Sequence, residues 1–258
     1  MNLNLRSFLF LIISLVVGLT SCSDDDTHGK LIREIDYVAQ GGKLFLFEYG
    51  SKNKLTKLIK KQIIDGRAFV FKEDKYTYSK GGKLVKYETF DHVSNTDDYY
   101  DEFSYKGDTV FVTRKYEYID FVIGILLLNE KKLLIETRRP YSNSVEYCSY
   151  DSNNNLIESV IYYNNSKYCT ATHKYDNQKS VYSDINMPAW YWVYTDDIDY
   201  AGKNNRVKST YLYHCDNKNG ECEDIENNHY TIYIYDCDGY PTGIKKYDTE
   251  YENIFKYK

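Results

Sequence analysis

The sequence predicts an all-β protein built as one long antiparallel up-and-down meander of hairpins. A tyrosine-containing turn recurs along the chain. Tyrosine supplies 30 of the 258 residues, against 11 phenylalanines and 2 tryptophans. The segments between the turns are rich in Tyr, Val, Ile and Thr, the residues that strands prefer.

The recurring turn has the same order of residue types each time. A tyrosine ends one predicted strand, a short polar turn follows, and an aliphatic residue begins the next strand. Gly, Asn and Asp are frequent in the turns because they tolerate the positive φ angles of tight hairpins. Several of these tyrosines are about 25 residues apart, which fits two strands and two turns. The clearest instances lie at residues 49–55, 78–84, 150–156, 175–181, 200–207 and 235–240.

The number of turns limits how the sheet is arranged. It gives on the order of 14–18 strands, each of about 6–10 residues. A closed barrel of that many strands is wide and has a wet interior. The alternation at residues 231–235 places tyrosine on one face and isoleucine on the other. We therefore expect a curved sheet or a wide barrel, with two packed sheets as the alternative; charges at Lys208, Lys245 and Lys246 disfavour a lipid-facing band.

The first 22 residues have the pattern of an export signal. Arg6 precedes an apolar run at residues 8–18, and Leu19, Thr20, Ser21 and Cys22 follow. The run is shorter than the roughly 20 residues of a membrane-spanning helix. Its ending resembles the lipobox of bacterial lipoproteins, which implies that residues 1–21 are removed and that Cys22 is the lipid attachment site. A conventional signal with an incidental cysteine is the alternative.

An acidic tether follows Cys22. Asp24, Asp25 and Asp26 lie within residues 22–29 and resemble the export tag of Bacteroidota lipoproteins. This resemblance implies an outer-membrane protein, lipid-anchored and exposed at the cell surface, with the membrane as its partner through the N-terminal lipid. The plainer interpretation, a solvated acidic linker, is compatible with it. Residues 30–258 are expected to form a single domain.

The tyrosine turns also carry a family resemblance. They resemble degenerate YD repeats of Rhs-type surface proteins, with the Tyr-Asp pair intact at positions 150, 175 and 235. Together with the export signal, the chain resembles a family of Bacteroidota surface lipoproteins, a domain of unknown function described as having a porin-like fold. The resemblance implies a long antiparallel meander. It supplies no known active site, so the catalytic residues are unknown.

The cysteine count predicts at least one unpaired thiol. Removing Cys22 leaves five cysteines in a compartment that permits disulfides. Cys215 and Cys222 flank a short polar loop and are the candidate disulfide, because closing a loop of about 8 residues contributes roughly 2.5 kcal/mol. Cys148 and Cys169 are a weaker pair, since a strand is expected to separate them.

A metal site is the competing interpretation of the same loop. His214 and His229 flank the two cysteines, but paired zinc ligands usually have two to four residues between them. The six-residue spacing departs from that pattern. We therefore expect neither a metal nor another cofactor.

Two apolar segments stand apart from the repeats. Trp190, Trp192 and Tyr194 would share one face of a strand, as a candidate ligand platform that stacks on sugars or as a buried packing cluster. Residues 121–128 form a strongly aliphatic run. For this run a short helix, a core filler or barrel plug, and a contact with a partner or lipid remain open.

The motifs that are absent from the sequence limit the classes of function to consider. It has no nucleophile elbow, phosphate loop, dinucleotide fingerprint or zinc-protease motif, and its mixed charge gives no basic patch for nucleic acid. We expect a non-enzymatic binding or scaffold module whose partner is a glycan or an envelope protein. The alternatives are a glycosidase-like surface hydrolase, with carboxylates from separate strands in a barrel mouth, and a purely architectural envelope protein.

Overall fold

The structure is a computed structural model that describes residues 30–37, 42–93, 99–197, 201–214, 224–246, 249–251 and 254–258. Helical structure within these ranges consists of α1 (Ala189–Tyr194) and a 3-10 turn (Ser51–Asn53). No helix in this part of the chain is long and apolar enough to cross a membrane. The strands, in chain order, are β1 Ile32–Tyr37, β2 Lys43–Tyr49, β3 Leu55–Ile64, β4 Arg67–Tyr78, β5 Leu84–Asp91, β6 Tyr99–Lys106, β7 Thr109–Lys115, β8 Asp120–Leu128, β9 Leu134–Arg139, β10 Ser144–Tyr150, β11 Leu156–Tyr163, β12 Ser166–Lys179, β13 Asn204–Tyr213, β14 Ile225–Tyr230, β15 Ile232–Tyr235, β16 Pro241–Lys246, β17 Thr249–Tyr251 and β18 Phe255–Tyr257.

The predicted meander is confirmed. Strands β1 to β14 lie side by side in sequence order and β18 pairs with β1, which makes one antiparallel sheet of 15 strands. Strands β15, β16 and β17 form a second sheet of three. The alternative of two packed sheets is therefore wrong, because nearly all strands pair with their sequence neighbours in a single curved layer.

The small sheet connects the two ends of the large one. On one side, the hydroxyl of Tyr235 donates to Asp176 at the end of β12. On the other side, the hydroxyl of Tyr257 in β18 donates to the carbonyl of Pro241 at 2.8 Å. Lys30, just before β1, forms an ion pair with Asp236 at 2.9 Å. Side-chain contacts thus connect the two ends of the large sheet through the small one. Strands β14 and β18 are the edge strands of the large sheet.

Tyrosine hydroxyls tie several strands to the neighbouring strand that precedes them. The hydroxyl of Tyr78 donates to the carbonyl of Leu55 at 2.9 Å, and that of Tyr105 donates to Leu84 at 2.6 Å. Both acceptor leucines are fully buried. A phenol suits this position because its ring fills apolar space and its hydroxyl satisfies a carbonyl. The same bond joins Tyr49 to Ile32, Tyr150 to Leu134 and Tyr175 to Leu156.

Five-residue loops follow Tyr49, Tyr78 and Tyr150 at one edge of the sheet, which we call the tyrosine rim, and two similar loops follow Leu128 and Tyr235. In each loop the first N–H donates to the last carbonyl at 2.8–3.0 Å, at residues 50–54, 79–83, 129–133, 151–155 and 236–240. Positive φ angles occur at Gly82, Asn154 and Gly239, as turn chemistry predicts. The loop at 129–133 follows a leucine instead of a tyrosine, so the sequence pattern missed it. The opposite edge, where the loops at 116–119 and 140–143 lie, is the open rim.

A segment between β12 and β13 fills the concave side of the sheet. Residues 180–197, here called the insert, include α1. The ring of Tyr182 lies 6.3 Å from that of Phe47 in β2, and Trp190 lies 5.3 Å from Phe103 in β6. The backbone N–H of Asn186 donates to Asn53 at 3.0 Å. The insert therefore reaches from β13 back to β2 and supplies the core that a wide sheet lacks.

The aliphatic run at residues 121–128 is part of strand β8, so the expectation of a helix there is wrong. Pairing with β7 on one side and β9 on the other holds it extended. Leu126 and Leu128 point into the core, whereas Val122 and Leu127 are each 39% exposed. The run contributes to the core, but the insert is the segment that occupies the interior. Gly124 matters here because an added Cβ would lie 3.1 Å from the ring of Tyr194.

Removing one tyrosine hydroxyl tests the hydrogen bonds that these hydroxyls donate to the neighbouring strand. Tyr105→Phe should lower the free energy of unfolding by about 1 kcal/mol, because the buried carbonyl of Leu84 loses its donor. Burial raises the pKa of Tyr105 to about 12, so the hydroxyl stays a donor at neutral pH. Urea unfolding measures the change, with Tyr147→Phe as the control at a ring 47% exposed. Equal stability of the two variants would remove the hydroxyl bond from the account.

Candidate functional site

The two tryptophans lie in the insert and not on a surface. Trp190 and Trp192 are 3% and 2% exposed, and Tyr194 is half-buried. The expected strand is wrong: residues 189–194 form α1, which starts after Pro188. A helix surrounded by sheet buries side chains on several sides, so Tyr191 and Val193 are buried as well. The packing alternative describes the two tryptophans, which are almost fully buried.

The predicted lipid attachment and disulfide fall outside the described residues, as Cys22, Cys215 and Cys222 all do. Two thiols in the described part, Cys148 and Cys169, are free, so the expectation of at least one unpaired cysteine is confirmed. Strand β11 separates them, as expected.

Another cysteine, Cys237, is disulfide-bonded. His214 of the competing metal interpretation has both ring nitrogens in hydrogen bonds, to Thr170 at 2.9 Å and Asp224 at 3.1 Å. No group of three or more His, Cys, Asp and Glu side chains in the described part of the chain could hold a metal ion.

The concave side is polar beyond the insert, and its charges are paired. Arg114 contacts Asp101 through two nitrogens at 2.8 and 3.0 Å. Asp74 accepts an ion pair from Lys60 at 3.0 Å and a hydrogen bond from Tyr87 at 2.8 Å. Both carboxylates are under 5% exposed. A buried charge without such partners would be very costly, so these pairs are required for the sheet to close over polar residues.

A third group of charged residues contains carboxyl groups whose pKa values are raised. Arg139 contacts Glu146 at 3.2 Å, and Asp196 lies close enough to interact with both. Burial raises the pKa of Glu146, which Arg139 partly offsets. Loss of hydration also raises the pKa of Asp196 and of the neighbouring Asp197, although both side chains remain open to water. Carboxylic acids of raised pKa are what a general acid requires.

A large cleft lies at the open rim, between the ends of β5, β6 and β7 and the loop before β8. Its volume is about 880 Å³. We call it the tyrosine cleft because four tyrosines line it. Its aromatic residues are Phe90, Tyr99, Tyr100, Tyr116 and Tyr118, and its charged residues are Glu88, Lys115 and Glu117.

Two aromatic rings of the tyrosine cleft, Tyr99 and Tyr116, pack against neighbouring side chains, whereas the ring of Tyr118 is exposed. Tyr116 stacks on Phe121 at 5.8 Å and lies 5.8 Å from Tyr99. The guanidinium of Arg114 covers one face of Tyr99 at 3.9 Å. Tyr118 is 89% exposed. Exposed aromatic surface beside a rigid cluster is typical of binding sites.

Polar groups surround these rings. Glu117 accepts a hydrogen bond from the Tyr118 hydroxyl at 2.7 Å. Lys115 is paired with Asp120 at 2.5 Å, and Lys86 holds Glu88 at 2.8 Å. A cleft with apolar faces and a few fixed donors and acceptors suits a small, hydroxyl-rich ligand. One sequence signal for this cleft exists: tyrosines at the strand ends opposite the recurring turns, which the turn pattern did not include.

The sequence matches no protein-family model and no curated protein. Its fold is similar to solved structures of Bacteroides proteins. A porin-like protein from Bacteroides vulgatus ATCC 8482 is 13% identical, with 89% of this chain and 96% of that chain covered and a TM-score of 0.37. A porin-like protein from Bacteroides uniformis ATCC 8492 is 10% identical, with 87% and 99% covered and a TM-score of 0.38. A protein of unknown function from Bacteroides fragilis NCTC 9343 is 12% identical, with 76% and 96% covered and a TM-score of 0.20. Likeness of this strength gives no information about ligand, activity or location.

Truncating a tryptophan distinguishes packing from surface display. Trp190→Ala should cost about 3–5 kcal/mol of unfolding free energy, as for other large buried aromatics. Tyr118→Ala, at the exposed ring, should change it by less than about 0.5 kcal/mol. Chemical denaturation of both variants provides the comparison. A small effect of Trp190→Ala would contradict the buried position.

Buried His173 should make the stability of the fold sensitive to acid. It is 4% exposed, Nδ1 contacts the Ser209 hydroxyl at 2.9 Å, and Nε2 has no partner in the described structure. Burial, aided by Arg206, lowers the pKa of His173 from 6.5 to about 4. Because the folded state binds this proton less readily, stability is full above about pH 6.5 and should fall by about 3 kcal/mol towards pH 4.

The measurement for His173 is unfolding free energy against pH. His173→Gln should lack this part of the decline between pH 6.5 and 4. His229→Gln is the control, since His229 is exposed. If the His173 variant keeps the full decline, other groups cause it.

Proposed function

We propose that this protein is a non-enzymatic, surface-exposed lipoprotein of the outer membrane that binds a glycan in the tyrosine cleft. The observation that carries the proposal is the cleft of about 880 Å³ with four tyrosines and three charged residues at the open rim. Aromatic faces suit the apolar C–H faces of sugar rings, and the charged groups suit their hydroxyls. The tyrosine cleft takes the place of the tryptophan platform in this hypothesis.

Tyr118 and Tyr116 have distinct parts in the proposal. The stacked Tyr116 offers a fixed surface, since Phe121 and Tyr99 hold its ring. Tyr118, at 89% exposure, closes over the ligand from the loop. Glu117, which accepts from the Tyr118 hydroxyl, has further lone pairs for sugar hydroxyls.

The anchoring part of the proposal is supported by the sequence. The lipobox-like residues 19–22 and the acidic residues that follow precede every described strand. Two or three acyl chains at Cys22 would hold the protein far better than one. Mass measurement of the N-terminal peptide tests lipidation of Cys22 independently of any ligand.

A hydrolase is the second candidate, favoured by the raised pKa values of Glu146, Asp196 and Asp197. A raised pKa lets a carboxyl group keep its proton to a higher pH, as a general acid must. Release of new reducing ends from bound glycans would support this candidate. Loss of that release in Asp196→Asn would assign it to this group of carboxyls. A partner protein recovered by cross-linking would instead support a scaffold role.

The glycan proposal is tested by binding of residues 23–258, which lack the lipid-bearing cysteine, to a panel of immobilised polysaccharides. Tyr118→Ala should weaken binding at least about tenfold, since truncating a central aromatic contact costs more than about 1.4 kcal/mol. Tyr116→Ala should weaken it comparably.

The matched control is Tyr168→Ala, which removes a ring that is 51% exposed and outside the cleft. It should bind like the unmodified chain. Absence of binding to every polysaccharide, or equal loss in the control, would exclude the tyrosine cleft as a glycan site.

A further inference from the structure

Four loops at the tyrosine rim concentrate positive charge. The loops at residues 50–54, 79–83, 106–108 and 129–133, here called the basic loops, contain seven lysines and two carboxylates. The whole chain has a net charge of −5. A local excess of positive charge on an acidic protein attracts an anionic partner. The lysines are Lys52, Lys54, Lys80, Lys83, Lys106, Lys131 and Lys132.

These lysines are available for a partner. All except the half-buried Lys54 are exposed. Lys132 pairs with Asp108 at 2.5 Å, but Lys131 contacts only the amide oxygen of Asn154 at 3.1 Å. The ammonium of Lys83 lies 4.7 Å from the centre of the Tyr105 ring. Among the described residues, six of the seven lysines therefore have no carboxylate in ion-pair contact.

The basic loops surround an apolar pocket. Its volume is about 330 Å³. Lys83, Lys131 and Lys132 lie at its edge. Its apolar lining comes from Leu128, Leu133, Pro188, Ala189 and Trp190. A pocket with an apolar floor and a cationic edge fits a molecule with an anionic head and an apolar tail.

The described chain begins at this same rim. The N–H of Lys30 donates to the Tyr240 hydroxyl at 3.1 Å, in the loop at 236–240. Strand β1 is the neighbour of β2, whose end leads into the first basic loop. Residues 22–29 span at most about 28 Å when fully extended. A lipid at Cys22 would therefore keep the membrane within that reach of the tyrosine rim.

We propose that the basic loops dock on an anionic lipid surface, with lysines on headgroup phosphates and part of a lipid's apolar portion in the rim pocket. The inference rests on the proposed function only for the anchor at Cys22. The tyrosine cleft, at the opposite rim, then faces away from the membrane. Charge attraction and the short tether act together, because each limits the orientation to the same rim.

Vesicle co-sedimentation of residues 23–258 tests the proposal without the anchor. This stretch contains every described strand and the core. It should bind vesicles containing phosphatidylglycerol, bind pure phosphatidylcholine much less, and be released by salt. Lys83→Gln with Lys131→Gln should weaken partitioning about 25-fold, at about fivefold for each lysine near an anionic surface.

Lys167→Gln with Lys174→Gln is the matched control, because both lysines are exposed and lie on β12 outside the basic loops. It should partition like the unmodified chain. Equal binding to neutral vesicles, no binding to anionic ones, or the same loss in both pairs of variants would overturn the docking proposal. Failure of glycan binding or of Cys22 lipidation would leave these results unchanged, so the two proposals fail separately.

Discussion

The hydrogen bond from a tyrosine hydroxyl to the first carbonyl of the preceding strand is the interaction that recurs along one edge of this sheet. A two-stranded hairpin has marginal stability in water, and a long meander of them has few contacts beyond neighbouring strands. The bond from Tyr105 to Leu84, repeated around the tyrosine rim, joins β6 to β5 beyond the last paired residues of these two strands. It also agrees with the composition, since a tyrosine ring fills apolar space while its hydroxyl donates a hydrogen bond.

The wide curve creates an interior that strands alone cannot fill. The insert solves this by placing Trp190, Tyr191 and Trp192 against β4 to β6. Beyond it, the concave side is polar, and each strongly buried carboxylate such as Asp101 is matched by a cation. Packing therefore dominates next to the tyrosine rim and ion pairing dominates towards the open rim. The titratable carboxyls near Arg139 lie where these two regions meet.

The two rims differ in chemistry, and the proposed roles follow from that difference. The tyrosine rim has lysine-rich loops around an apolar pocket. The open rim has aromatic rings with free faces, Tyr118 above all. An anionic lipid surface complements the first, and a hydroxyl-rich ligand complements the second. The short chain segment before Lys30 joins the first rim, so an anchored molecule would present the second.

The meander could be predicted from the residues alone, because turn chemistry and strand composition repeat at most of the hairpins. The sequence also indicated the address at Cys22 and the unpaired cysteine. Other features depend on tertiary contacts. Residues 121–128 are a strand and residues 189–194 are a helix. A short aromatic or aliphatic run can adopt either form until neighbouring strands pair with it or enclose it. The tyrosine cleft and the basic loops assemble from distant hairpins, and residue spacing along a chain does not encode which hairpins meet around a curve.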